Sequence, residues 1–121
     1  MRIILKGTKI VLNNAIRQFV NDKFSHVERF IKTFNRDPGK PEKGKDKVEL
    51  FIEIGRTSSH HNKGNVFRAE AQILLMGKDF RAESEREDLH IAINEAKEDL
   101  ERQIKSYKGK LMSFETRKEK I

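Results

Sequence analysis

The spacing of hydrophobic residues changes twice along this chain, and this change constrains the fold more than any other feature. From Leu12 to Phe34 apolar residues recur every three or four positions, which is the period of an amphipathic helix. From Val48 to Glu83 they alternate with polar residues, as in strands that bury one face. From Asp88 the helical period returns. The pattern predicts helix, sheet and helix in one domain, since 121 residues do not suffice for two separate cores.

The predicted elements follow from this pattern and its breaks. A short strand at residues 2–6 ends at a break at Gly7 and precedes a helix over residues 14–36, which Asn13 caps and Asp37-Pro38-Gly39 ends. Strands at residues 48–54, 67–75 and 80–83 form a meander, joined by a loop over residues 55–64 and a tight turn at Gly77-Lys78. The second helix runs from Asp88 to about Leu111, before a charged tail at residues 112–121.

This order predicts an α+β fold, β-α-β-β-β-α, with a four-stranded, mainly antiparallel sheet and two helices packed on one face. Ile3 and Leu5 are expected to face inward, and the small pair Ala69 and Ala71 would let a helix lie close to the sheet. Phe51 falls on the polar face of its strand. Stacking on a nucleobase and simple cover for the sheet are both open interpretations of Phe51.

Basic residues exceed acidic ones, with 26 Lys and Arg against 19 Asp and Glu, for a formal net charge of +7. Such an excess is typical of proteins that bind polyanions, so nucleic acid is the leading partner class. A solubilising surface without an anionic partner is the alternative. Because one exposed aromatic is weak support for base stacking, phosphate and shape recognition of structured RNA fits the pattern better.

The second predicted helix carries a basic ridge at Arg102, Lys105 and Lys108, away from its apolar stripe, and Lys110 follows. An ordinary solvated face, with Glu98–Arg102 and Glu101–Lys105 ion pairs, is the alternative.

Lys23 stands inside the apolar arc of the first predicted helix, between Ile16 and Phe30 on the wheel. Its methylenes are expected to lie on the core while its ammonium reaches water. If Lys23 is functional, its side chain lies in the same way and its ammonium group contacts a phosphate at the surface.

Several classes of function lack support in the sequence. There is no Cys, and the adjacent His60 and His61 do not share a face or stand at a familiar metal-ligand spacing. Ser58 and Ser59 beside His60 lack a rigid support for nucleophilic catalysis. No phosphate-binding glycine loop or dinucleotide motif is present. We therefore predict no enzyme activity, metal, cofactor or small-molecule substrate. Without a signal peptide or membrane span, a cytoplasmic protein with no membrane partner is expected.

Three segments resemble one known family. The first comprises the opening strand and the start of the first helix, with the sequences Ile3-Ile4-Leu5-Lys6-Gly7 and Leu12-Asn13-Asn14-Ala15-Ile16. The second is the strand Phe80-Arg81-Ala82-Glu83. The third is the second helix, with the sequences Asp88-Leu89-His90-Ile91-Ala92-Ile93-Asn94 and Leu100-Glu101-Arg102-Gln103-Ile104-Lys105-Ser106-Tyr107-Lys108. Together they resemble the ribosome hibernation-promoting factor and ribosome-associated inhibitor family. The second-helix segment is the most specific of them.

The resemblance implies a domain at residues 1–111 that binds the small ribosomal subunit in the channel for messenger and transfer RNA and blocks translation under stress. Contact with a sigma factor, as a transcription regulator, is the alternative. Residues 36–47 form a longer loop than the family suggests, and His90 replaces a frequent Tyr. A chain of 121 residues cannot hold the dimerisation domain of long members, so it resembles either a short form or the corresponding part of a long form, and the isolated domain is expected to be a monomer. By resemblance, the positions that meet ribosomal RNA are Lys23, Arg81, Arg102, Lys105, Lys108 and Lys110.

Overall fold

A computed structural model describes residues 1–34, 48–57, 66–75 and 77–119 of the chain. Its elements occur in the predicted order β-α-β-β-β-α, which confirms the fold class. The bounds are β1 Arg2–Thr8, α1 Asn14–Phe34, β2 Glu49–Thr57, β3 Val66–Leu75, β4 Lys78–Arg86 and α2 Leu89–Glu119. The predicted loop at residues 36–47 and the pair His60-His61 lie outside the described residues.

The four strands form one sheet in the order β1-β2-β3-β4. β1 pairs with β2 in parallel, and the other two pairings are antiparallel. The register aligns Ile3, Leu50, Ile73 and Phe80 in one row across the sheet. Because register partners share a face, this row and its neighbours two residues along form the apolar side of the sheet.

Both helices cover that apolar side. α1 contributes Val20, Phe24, Val27 and Ile31 to the core, and α2 contributes Ala92, Ile93, Ala96, Leu100 and Ile104. The sheet contributes Leu50, Ile52, Ile54, Ala69, Ala71, Ile73, Leu75, Phe80 and Ala82. Ile3 and Leu5 are half-buried against this cluster, as the strand alternation predicts. The opposite side of the sheet is left uncovered by the helices, and this arrangement gives the domain two distinct surfaces.

Side-chain caps fix where the two helices begin. The backbone N–H of Ile16 donates to Asn13 Oδ1 at 2.8 Å, so the predicted cap of α1 is confirmed. Asp88 caps α2 in the same way, because its Oδ1 accepts from the backbone N–H groups of His90 at 2.8 Å and Ile91 at 3.2 Å. The cap fixes the first residue of α2, and with it the direction in which each basic side chain of the helix projects.

The strands are longer than the sequence predicts, and α2 ends later: β1 continues through Gly7 to Thr8, and β4 already begins at Lys78. β2 continues through residues 55–57, which the sequence assigned to a loop, and β4 continues to Arg86. Gly55 caused the error at the end of β2, since glycine commonly marks the end of a strand. Here it permits close approach, because a Cβ at this position would lie 2.8 Å from the carbonyl oxygen of Thr8 on β1. α2 continues to Glu119, so residues 112–119 of the predicted tail are helical.

Within the described residues, neither helix contains a stretch apolar and long enough to span a lipid bilayer.

Candidate nucleic-acid interface

The predicted basic ridge lies on the outer face of α2. Arg102, Lys105 and Lys108 follow one another at intervals of three residues, so they turn in steps of about 60° around the helix. Arg102 lies about 160° around the helix from the buried Leu100 and Ile104, whereas Lys108 follows Ile104 by one turn and borders the buried stripe. Arg102 and Lys105 are exposed and Lys108 is half-buried. These three residues, called the α2 ridge below, present their charges to solvent without contributing to the core.

Ion pairs leave most of the α2 ridge available. Glu101 pairs with Lys97 at 3.6 Å, and Arg102 pairs with Asp99 at 3.4 Å. These contacts replace the Glu101–Lys105 and Glu98–Arg102 pairs that the sequence offered as an alternative. Neither Lys105 nor Lys108 forms an ion pair with any side chain that the structure describes. Two of the three ridge cations can therefore meet an external anion without breaking an ion pair to a described carboxylate.

Lys23 lies apart from the α2 ridge, at the junction of the two helices. Its Nζ is 5.5 Å from the centre of the Phe19 ring. The Phe19 ring in turn meets the edge of the His90 ring at a centroid distance of 4.3 Å. Because His90 and Lys105 are 15 residues apart, these positions are separated by about 22 Å along α2. Lys23 is half-buried, as expected of a lysine whose methylenes lie against the core.

Arg81 lies on β4 and directs its side chain to the face of the sheet away from the helices. Its Nε is 2.7 Å from Glu70 Oε1, so its charge is paired. Its backbone carbonyl nevertheless accepts a hydrogen bond of 2.8 Å from Gln103 Nε2 on α2. Gln103 also donates to Asp99, the ion-pair partner of Arg102. Arg81 and Arg102 thus lie on opposite sides of the β4 edge, linked through Gln103 and Asp99.

Lys110 is exposed but does not extend the α2 ridge. Two residues beyond Lys108, it is rotated by about 160° from that side chain around the helix axis. The six predicted positions therefore form no single patch. The structure brings together Arg102, Lys105 and Lys108, links Arg81 to them through the β4 edge, and places Lys23 and Lys110 elsewhere.

Lys78 is a basic residue that the sequence analysis treated only as part of a turn. Its Nζ lies 4.4 Å from the centre of the Tyr107 ring and 5.5 Å from that of Phe80. The two rings also meet edge to face at 5.5 Å. These contacts fix a cation at the β3–β4 turn, beside the second half of α2. In the sequence, only Tyr107 on the apolar stripe of the second helix pointed to an aromatic contact here. That Lys78 is its partner follows from the tertiary fold and not from the sequence pattern.

The other face of the sheet carries a cluster of ion pairs. Arg68 contacts Glu70 at 3.0 Å and Glu85 at 3.9 Å, and also donates to Glu83. The hydrogen bond from Arg68 lowers the pKa of Glu83 and raises the pKa of Arg68 itself. Hydrogen bonds from the Ser84 hydroxyl and then from Arg86 lower the pKa of Glu95 on α2. These carboxylates therefore remain ionised at neutral pH.

In the described part of the chain, no three His, Asp or Glu side chains converge in a way that could hold a metal ion.

The chain is similar to known proteins of one family. The profile of the family described as Sigma 54 modulation protein / S30EA ribosomal protein matches residues 3–112. A ribosome hibernation promotion factor from Deinococcus radiodurans is 26% identical over 108 residues, which are 89% of this chain and 49% of the relative. The chain thus spans about half the length of that relative.

Two solved structures share the fold. The N-terminal domain of Thermus thermophilus Protein Y is 27% identical, with a TM-score of 0.64 over 88% of this chain and 99% of that one. A ribosomal subunit interface protein from Coxiella burnetii has a TM-score of 0.63 over 90% and 99% of the two chains; at 20% identity it supports the fold alone. These findings confirm the resemblance inferred from the sequence. The chain belongs to the Sigma 54 modulation protein / S30EA ribosomal protein family.

Proposed function

We propose that residues 1–111 bind the small ribosomal subunit in the channel that messenger and transfer RNA use, and that this occupancy keeps the ribosome inactive during stress. The observation that carries the proposal is the α2 ridge, a basic surface outside the core in a family of ribosome-associated proteins. The proposed action is steric, so it requires no chemical step, metal or cofactor.

Electrostatics supports a phosphate-binding role for the α2 ridge. Lys105 and Lys108 have no ion pair with a described carboxylate, and Arg102 holds Asp99 at 3.4 Å across an exposed surface. An exposed pair of this kind contributes little, so a phosphate can displace the carboxylate at small cost. Three phosphate contacts would give a log–log salt dependence with a slope of about −2 to −3.

The remaining predicted positions are proposed as outlying contacts. Lys23, beside Phe19 at the junction of the two helices, would meet a phosphate away from the α2 ridge, which fits a structured RNA better than a short single strand. Arg81 would exchange Glu70 for a phosphate at the β4 edge. Lys110 would contact RNA on a part of the α2 surface rotated by about 160° from Lys108.

Co-sedimentation with isolated small subunits, over a salt series and with or without messenger and transfer RNA, tests this function. Saturable binding that these RNAs displace is expected. The variant Arg102→Glu/Lys105→Glu/Lys108→Glu should lose binding while keeping its circular dichroism spectrum, because none of the three side chains lies in the core.

The matched control is Lys9→Glu/Arg17→Glu/Lys32→Glu, which carries the same change in net charge on three other exposed residues. It should bind nearly as well as the unchanged domain. Equal loss in both variants would reduce the α2 ridge to general affinity for polyanions. Full binding by the folded ridge variant would refute the site.

Regulation of transcription through a sigma factor is the second candidate, favoured by the first half of the family description. A pull-down that retains a sigma factor after nuclease treatment, without ribosomal proteins, would support it. Loss of every partner after nuclease would count against it.

A further inference from the structure

The side of the sheet opposite the helices, called the open sheet face below, has a composition unlike the rest of the molecule. The register places Ile4, Phe51, Gln72 and Arg81 in one row across it. The next row contains Lys6, Glu53, Glu70 and Glu83. Phe51 remains 49% exposed and Leu74 63% exposed, so the described residues do not cover this face.

Acidic residues outnumber basic ones on the open sheet face, in a chain whose net charge is +7. Among the described residues, strand alternation directs four basic side chains to it, Arg2, Lys6, Arg68 and Arg81, and six carboxylates, those of Glu49, Glu53, Glu70, Asp79, Glu83 and Glu85. Two of these cations are already paired, since Arg68 contacts three glutamates and Arg81 contacts Glu70. The face therefore repels a polyanion, even though the α2 ridge attracts one.

Apolar side chains lie beside these carboxylates. Ile4 and Phe51 are register partners, and Leu74 lies diagonally across from Phe51 on the next strand. A shallow depression beside Phe51 is lined by Ile4 and Ile52 and by the polar residues Lys6, Glu53, Glu70 and Gln72. Glu53 accepts a hydrogen bond of 2.8 Å from the Thr8 hydroxyl, which holds its carboxylate in place. The depression thus combines an apolar wall with Glu53, which lies opposite Lys6, and with Glu70, which is paired with Arg68 and Arg81.

We propose that the open sheet face docks a positively charged protein segment that inserts an aliphatic or aromatic side chain beside Phe51. The net negative charge of the face favours this occupant, because its lysines or arginines would meet carboxylates that outnumber the basic side chains there, while the apolar side chain fills the depression. An RNA strand is disfavoured, since its phosphates would approach the carboxylates and Phe51 is the one aromatic exposed on this face among the described residues. This proposal does not depend on ribosome binding.

A defined peptide tests the proposal. The probe is an acetylated and amidated peptide, Lys-Phe-Lys-Leu-Lys-Phe-Lys, titrated into the ¹⁵N-labelled domain, with calorimetry for affinity. Amide shifts are expected in β2 and β3 around Phe51, with affinity that falls as salt rises. A peptide with Glu in place of every Lys should not bind, and a lysine–serine peptide should bind at least fivefold more weakly.

Two substitutions on the open sheet face separate apolar from charged contributions. Phe51→Ser and Glu53→Gln should each weaken the peptide about fivefold or more, and Glu53→Gln keeps an acceptor for Thr8. Glu98→Gln, an exposed carboxylate on α2, is the matched control and should leave the affinity unchanged.

Shifts confined to α2, equal weakening by Glu98→Gln, or absence of binding would each overturn the proposal. So would an oligouridine that binds at Phe51 more tightly than the peptide, since it would make the face an RNA platform. Circular dichroism melts confirm that each variant remains folded.

Discussion

Gly55 offers a sharp test of how β1 and β2 fit together. Its backbone is paired with Thr8 in the parallel register, and a Cβ added there would lie 2.8 Å from the Thr8 carbonyl oxygen and 3.3 Å from Thr8 Cβ. Ordinary contact begins near 3.4 Å, so the end of β1 would have to move away by several tenths of an ångström. Since Thr8 also donates to Glu53, this movement disturbs a side-chain hydrogen bond as well.

The magnitude follows from two opposed terms. Overpacking of this kind costs about 1–3 kcal/mol, whereas replacing glycine by alanine recovers about 0.5–1 kcal/mol of conformational entropy. The two ranges differ by about 0–2.5 kcal/mol, so Gly55→Ala should lower the free energy of unfolding by about 1 kcal/mol, near the middle of this range. For a domain of this length, each kcal/mol lost from the free energy of unfolding lowers Tm by about 3–6 °C.

Gly109→Ala is the matched control, because the same chemical change meets nothing within 4 Å in α2. Removing glycine from a helix interior should raise stability by about 0.5–1 kcal/mol. Urea unfolding followed by circular dichroism measures both variants against the unchanged domain. Equal or higher stability of Gly55→Ala would show that β1 does not approach β2 as closely as described, and would refute this reasoning.

Three further predictions concern binding, capping and pH. Lys105→Ala should reduce the log–log salt slope of small-subunit binding by about 1, because one phosphate contact is lost, and co-sedimentation over a salt series measures it. Asn13→Ala removes the 2.8 Å acceptor for the Ile16 N–H and should cost about 1 kcal/mol in urea unfolding, whereas Asn13→Ser should cost much less. Hydrogen bonds from Ser84 and Arg86 hold the pKa of Glu95 below its ordinary value of 4.5. The ionised Glu95 carboxylate therefore stabilises the folded domain above pH 4.5, and this contribution is lost as the pH falls through the folded-state pKa. Glu95→Gln should flatten the decline of stability below pH 4.5 in urea midpoints taken between pH 7 and 3, and an unchanged decline would contradict this assignment.

The order of elements was predictable because hydrophobic period depends only on local sequence. Ile3, Phe51 and the capping residue Asn13 all lie where alternation or helix-start chemistry predicted. Gly55 could not be assigned correctly, since whether a glycine ends a strand or permits close packing depends on the neighbouring strand. The end of α2 was missed because residues 112–119 carry charges with no core-facing pattern strong enough to indicate a helix.

The sequence predicted which basic residues share a face of α2. It did not predict how basic residues on different elements lie relative to one another. The wheel alone placed Arg102, Lys105 and Lys108 on one surface, because their spacing is fixed by helix geometry. It gave no information on Arg81, whose side chain lies on the open sheet face while its carbonyl accepts from Gln103. Such a position requires knowledge of which strand forms the edge beside α2.

The separation of charge between the two faces explains why net charge alone describes this domain poorly. α2 is about 10–12 Å across, which exceeds the Debye length of about 8 Å at physiological ionic strength. The α2 ridge and the carboxylates of the open sheet face are therefore screened from each other, and each acts on its own partner. An RNA held on the ridge would reach the open sheet face only at Arg81 on the β4 edge, and would leave Phe51 and Glu53 turned away from it. Peptide binding at the open sheet face should accordingly be the same in the ridge variant as in the unchanged domain, and a large difference would show that the two faces are coupled.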